Sequence, residues 1–243
     1  MKKKLRNPFK NLTKFEWILW TFSLCAIIAS FFAVGSTDYA NLASSVLGVT
    51  ALIFSARGDA FGLILMLLFS LVYSFVSFTF KYYGEIIIYL CMQLPCVTVS
   101  LISWLKNPTD KGSAEVKIGK FNKKHLAILV PATAVILVSF YFILQAFDTE
   151  NLWVSTLSVG TSFVALYLMA LRLPAYALAF ILNDIVLVVL WSLACVQNIS
   201  YLAVTVCFGI FLINDSYTFI CWTKRKATQN KAYNTPPEVI EEQ

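Results

Sequence analysis

Two Asn-Asp pairs stand where an apolar chain has least reason to carry them. Asn183 and Asp184 lie in the middle of residues 175–191, AYALAFILNDIVLVVLW, and Asn214 and Asp215 lie inside residues 201–222. Both stretches are long and apolar enough to cross a bilayer, where an ionisable side chain costs about 2.5–3.5 kcal/mol on insertion scales. Such a group faces a bundle interior or a wet cavity and marks a functional site by default. At about 100° per residue, Asp184 and Trp191 (i, i+7) share a helix face and Asn183 adjoins it. Asn214, Tyr217 and Thr218 form one stripe with Cys207 and Cys221, and Asp215 lies beside it.

The earlier spans carry no carboxylate at that depth. They offer Tyr73, and Tyr89 with Gln93 one turn on, and Pro95 loosens the backbone ladder of the same span. Carboxylates, amides and aromatic rings converging at mid-membrane suit a flat, hydrogen-bonding, cationic ligand, since ring faces and carboxylates both favour a cation. The plainer alternative is that Asn and Asp only hydrogen-bond helices together. Two carboxylates in successive spans weigh against it.

Composition sets the class. The 243 residues are 59% hydrophobic and 13% charged, against about a quarter charged in soluble domains. Apolar runs of about 20 residues dominate, so an all-α polytopic membrane protein is expected rather than a barrel of alternating ten-residue strands. The six cysteines fall within or beside apolar spans without a CxxC, and the lone His125 sits by Lys123 and Lys124. They read as small packers and a solvated interfacial histidine. No Gly-rich phosphate loop, Walker motif, Ser/His/Asp set or zinc motif occurs, so no enzyme, cofactor or metal is expected.

Eight spans follow in order. A basic segment (1–16) precedes the first (17–34), whose end loosely resembles a signal-peptide cleavage site but whose apolar run favours a retained helix. The next three are about 42–56, 60–80 and 85–105. A connection bearing six lysines, 106–124, leads to a fifth at 125–147. Three more lie at about 152–171, 175–196 and 201–222, before a polar tail, 223–243, expected to be disordered from 227 onward. With the N-terminus inside, every Lys and Arg except Lys81 falls on the inner side. That bias gives both termini to the cytoplasm and makes the net charge of +6 an orientation signal, not a nucleic-acid patch.

Residues 41–105 and 151–222 look like copies. Each begins Asn-Leu, each has a first helix ending at an arginine (Arg57, Arg172), and each has a third helix opened by a tyrosine and closed by Trp-x-Lys (Trp104, Trp222). Helix 125–147 between them restores a common orientation. The plan is therefore 1+3+1+3, with two parallel three-helix repeats and a site near the midplane between them.

The stretches FGLILMLLFSLVYSFVSFTFKYYGEIIIYL (61–90), PCVTVSLISWLKNP (95–108) and YALAFILNDIVLVVLWSLACVQNISYLAVTVCFGIFLINDSYTFICW (176–222) resemble the PnuC family of bacterial nicotinamide riboside transporters. The likeness covers roughly 41–226 and is strongest to the lactic-acid-bacterial and streptococcal branch. It implies a SWEET-like bundle in the bacterial plasma membrane. It also implies facilitated diffusion of the riboside, trapped inside by a separate cytosolic kinase. Asn183, Asp184, Trp191, Asn214, Asp215 and Tyr217 carry over as pocket candidates, beside Gln93, Tyr89 and Tyr73. In that reading Asp184 or Asp215 offsets the cationic nicotinamide, Trp191 or a tyrosine stacks on it, and Asn183, Asn214 and Gln93 take ribose hydroxyls. Expected partners are the bilayer, the riboside and, as an open alternative, a second copy of the chain. Another vitamin or nucleoside (thiamine, riboflavin, a deoxynucleoside), a proton-coupled symporter, and a non-transporting membrane sensor are the rivals.

Overall fold

The computed structural model describes residues 7–79, 83–110, 113 and 115–234. Local chemistry sets the helix starts. A capping box of Thr13 and Glu16 opens α1 (Lys14–Ala33), and the Asp38 carboxylate accepts from Asn41 N to open α2 (Tyr39–Ala56). Both begin three residues before the expected spans because these caps lie upstream of the apolar run. Then come α3 (Ala60–Thr79), a fourth span of α4 (Tyr83–Ile87), a π-helical segment Ile88–Gln93 and α5 (Leu94–Lys106), and α6 (Lys123–Ala146). The last three are α7 (Leu152–Ala170), α8 (Ala175–Gln197) and α9 (Leu202–Asn234). Apart from two isolated bridges, no strand forms among the described residues.

Seven of these spans are long and apolar enough to cross a membrane, and α3 adds a further apolar stretch, Ala60–Phe75. Six pack in a closed ring. Neighbours run from α2 to α3, to α5, to α7, to α8, to α9 and back to α2. α1 packs against α2 and α9 from outside, and α6 against α7. On α6, Val130, Val135, Val138 and Phe142 are exposed, an outward apolar face of the kind lipid covers.

The fourth span widens where Pro95 has no N–H to donate. Leu94 N bonds to Tyr89 O, one residue further back than in an α-helix, and Tyr89 and Gln93 lie on this wide turn. Such π-turns occur often at functional sites.

The end of the ring where α1 begins and α2 and α5 end is closed. Trp104 Nε1 donates to Met169 O at 3.1 Å, and Trp222 Nε1 donates to Ser55 O at 2.9 Å. The two indoles lie 5.2 Å apart beside Tyr176, whose hydroxyl also donates to Ser55 O, and all three are almost fully buried. Beyond them, Glu16 is 3% exposed, pairs with Arg57 at 2.8 Å and accepts from the Tyr217 hydroxyl. Arg225 donates to Arg57 O, and Arg172 to Ser103.

The lysine-rich connection proves to be a strap across this end. Val116 N bonds to Gly58 O, Lys117 N to Asn107 O, Ile118 N to Gln229 Oε1 and Gly119 N to Arg172 O. It thus touches the ends of α2, α5 and α7 and the extension of α9. Gly119 approaches the Leu171 carbonyl too closely for a Cβ. The tail expected to be disordered from 227 continues as helix to Asn234, and Gln229 on it holds the strap. Lys2, Lys3, Lys4, Arg6, Lys81, Lys111 and residues 235–243 lie outside the described residues.

Candidate functional site

The ring surrounds a chamber to which all six ring spans contribute. α8 supplies Phe180, Asn183 and Asp184, and α9 supplies Phe208, Phe211 and Asp215. Met66 and Phe69 come from α3, and Tyr89 and Gln93 from the π-turn. Asp184 and Asp215 are 3% and 2% exposed. Their carboxyl groups face each other within hydrogen-bonding reach, and Asp184 Oδ2 has no hydrogen-bond partner. None of the lining residues is a Lys or Arg.

The amides around the pair are held by hydroxyls. Asn183 Oδ1 accepts from Thr161 at 2.8 Å and from Ser162 at 3.0 Å, both on α7. Gln93 Nε2 donates to Ser70 Oγ at 3.0 Å, while the Ser70 hydroxyl itself donates to Met66 O. Ser162, Thr161 and Ser70 were not among the expected site residues. Serine and threonine are frequent in membrane helices, and nothing in the sequence separates these from the many that bond only their own backbone.

A second space lies toward the opposite end of the ring, bounded by Asn41 and Leu42 at the start of α2 and Ala203 and Val204 at the start of α9. Phe69, Tyr89, Phe208 and Phe211 line both spaces. These rings are the partition between this vestibule and the chamber. The Phe211 ring rests on Gly48, where an added Cβ would come within 2.7 Å of it.

Five of the nine expected site residues therefore meet at the chamber: Asn183, Asp184, Asp215, Gln93 and Tyr89. Tyr73 lines the vestibule instead, packed on Tyr89 at 4.5 Å. Trp191 lines neither space. It shares the face of Asp184 but lies two turns further along α8, against Tyr201. Asn214 points away from the chamber, donating to Ser23 Oγ on α1 at 3.0 Å and to Ile210 O. Tyr217 reaches Glu16 at the closed end. For these last two the stripe was real, but it faces α1. No group of three or more His, Cys, Asp or Glu that could hold a metal occurs among the described residues.

A closed ring of membrane helices around a buried polar chamber, shut at one end and vestibuled at the other, defines a membrane transporter for a small polar solute. Residues 38–224 match the family model described as nicotinamide mononucleotide transporter, and the chain belongs to that family. It is 27% identical over 225 residues to the nicotinamide riboside transporter PnuC of Neisseria mucosa, covering 90% of this chain and 84% of that one. It is 25% identical over 224 residues to its namesake from Haemophilus influenzae, covering 91% and 95%. Its fold is similar to a structure titled "Crystal structure of the Vitamin B3 transporter PnuC", with a TM-score of 0.74, 24% identity, and 90% and 94% of the two chains covered.

Proposed function

We propose that this protein carries nicotinamide riboside across the bacterial plasma membrane by facilitated diffusion through the chamber. The observation that carries the reading is the acid pair Asp184 and Asp215, facing a chamber with aromatic walls and no cationic lining residue. A pyridinium ring supplies the positive charge that such a pair lacks, and the faces of Tyr89 and Phe180 suit it. The same electrostatics favour a riboside over a mononucleotide, because a phosphate would meet two carboxylates and no Lys or Arg. Gln93, anchored by Ser70, is placed to take ribose hydroxyls.

Alternating access supplies the mechanism. The reciprocal bonds from Trp104 to the end of α7 and from Trp222 to the end of α2 support two parallel three-helix repeats, α2 to α5 and α7 to α9, rocking about the chamber. In this conformation the basic, cytoplasmic end is shut and the external vestibule is separated from the site only by the aromatic partition. Capture inside falls to a separate kinase. A proton-coupled variant has one observation in its favour, the buried acid pair in the path. Thermal stabilisation of the purified protein by nicotinamide riboside, nicotinamide mononucleotide, thiamine, riboflavin and a deoxynucleoside tests the substrate. The riboside is expected to stabilise most, and preference for thiamine, riboflavin or the deoxynucleoside would replace the reading.

A further inference from the structure

We propose that Ser162, assisted by Thr161, sets the specificity of the chamber by holding the Asn183 amide with its N–H groups toward the ligand. The site then takes a primary carboxamide and rejects the corresponding carboxylate. This rests on the riboside reading and deepens it.

Asn183 is 5% exposed, lines the chamber, and uses its amide oxygen on two hydroxyls. The Ser162 hydroxyl has one proton, and Asn183 Oδ1 is its acceptor. Thr161 has the carbonyls of Leu157 and Ser158 within reach as well, at 3.0 Å each, so its proton is contested and Ser162 is the firmer anchor. With Oδ1 engaged, Asn183 Nδ2 makes no hydrogen bond to the described residues. Its N–H groups are left for the ligand.

Asp184 follows Asn183 directly on α8, and its Oδ2 lacks a partner. The chamber wall therefore presents a donor next to an acceptor. A carboxamide supplies the complement, a carbonyl oxygen for Asn183 Nδ2 and an N–H for Asp184. A carboxylate has only acceptors and a negative charge, and it would face Asp184 and Asp215. An amide turned the other way would leave Asn183, Asp184 and Asp215 as acceptors alone, with no donor for the ligand carbonyl. Buried polar groups left unpaired are what make such discrimination strong.

The test compares three ligands on the purified full chain by calorimetry: nicotinamide riboside, nicotinic acid riboside, and the pyridine riboside with no ring substituent. The wild type is expected to bind the carboxamide clearly first, the unsubstituted riboside next and the carboxylate last. In Ser162→Ala, and more so with Thr161→Val added, affinity for the carboxamide riboside should fall about tenfold. Affinity for the unsubstituted riboside should stay within about twofold. Ser162→Thr keeps the hydroxyl and should restore the carboxamide preference. Equal losses for both ligands, no loss at all, or a wild type that binds the carboxamide and unsubstituted ribosides equally would overturn the inference. A wild type that binds no riboside fails earlier, at the substrate reading itself.

Discussion

Replacing Asp184 by Asn should make the protein more stable and a worse binder. Asp184 is nearly fully buried, opposes Asp215, and leaves Oδ2 unpartnered. Two like charges about 4 Å apart repel by about 4 kcal/mol at an effective dielectric of 20, an upper bound that any shared proton reduces. An amide in place of one carboxylate removes the repulsion and supplies an N–H for Asp215 to accept. A net gain of even about 1 kcal/mol would raise the melting temperature by about 2–4 °C for a chain of this size. The same change removes a charge-assisted contact with a pyridinium ligand, which is worth about 1.5–3 kcal/mol. That corresponds to about a 10- to 150-fold higher Kd for nicotinamide riboside. The control ligand is the dihydronicotinamide riboside, which keeps the shape but is neutral, and its affinity should fall far less. Melting curves in detergent and titration calorimetry read both effects. A lower melting temperature, or equal losses for the cationic and neutral ribosides, would refute the electrostatic role of the pair.

Gly48→Ala places a methyl against the Phe211 ring, so it should slow uptake in proteoliposomes more than it weakens equilibrium binding; the opposite pattern would remove Phe211 from the gate. Glu16→Ala leaves Arg57 and the Tyr217 hydroxyl without their common partner and should destabilise by about 3 kcal/mol, read as a clear drop in melting temperature. Trp222→Phe removes one N–H donor to Ser55 O, worth about 1 kcal/mol. It should raise labelling by thiol reagents of a cysteine placed at Ala51, added from the cytoplasmic side of inverted vesicles. A cysteine placed in the strap at Ser113 should resist impermeant reagents in intact cells, and ready labelling would invert the topology.

Much of this was legible because the bilayer leaves an apolar chain few choices. Span number and order followed from runs of apolar residues, and the polar centre from the cost of burying Asp184 and Asp215. Periodicity gave which residues share a face, but not which neighbour that face meets. Asn214 and Tyr217 form a true stripe on α9 that faces α1, because α1 lies outside the ring and takes the buried Ser23 and Glu16 with it. Depth was the second blind spot: i, i+7 puts Trp191 on the face of Asp184 but about 10 Å further along the helix. Nor could hydrophobicity show that the lysine-rich connection is a strap, since its bonds run through backbone N–H groups to four separate elements.

Uptake by proteoliposomes containing only this protein is the most direct measurement of the central claim. Labelled nicotinamide riboside should equilibrate at zero membrane potential, saturably, and should stop equilibrating when Asp184 and Asp215 are both replaced by Asn. With a riboside kinase and ATP sealed inside, label should accumulate well above the external level, whereas imposed proton or sodium gradients alone should drive none. Absence of uptake would contradict transport of this substrate. Uphill accumulation at zero potential under a proton gradient would instead make the acid pair a coupling site and contradict facilitated diffusion.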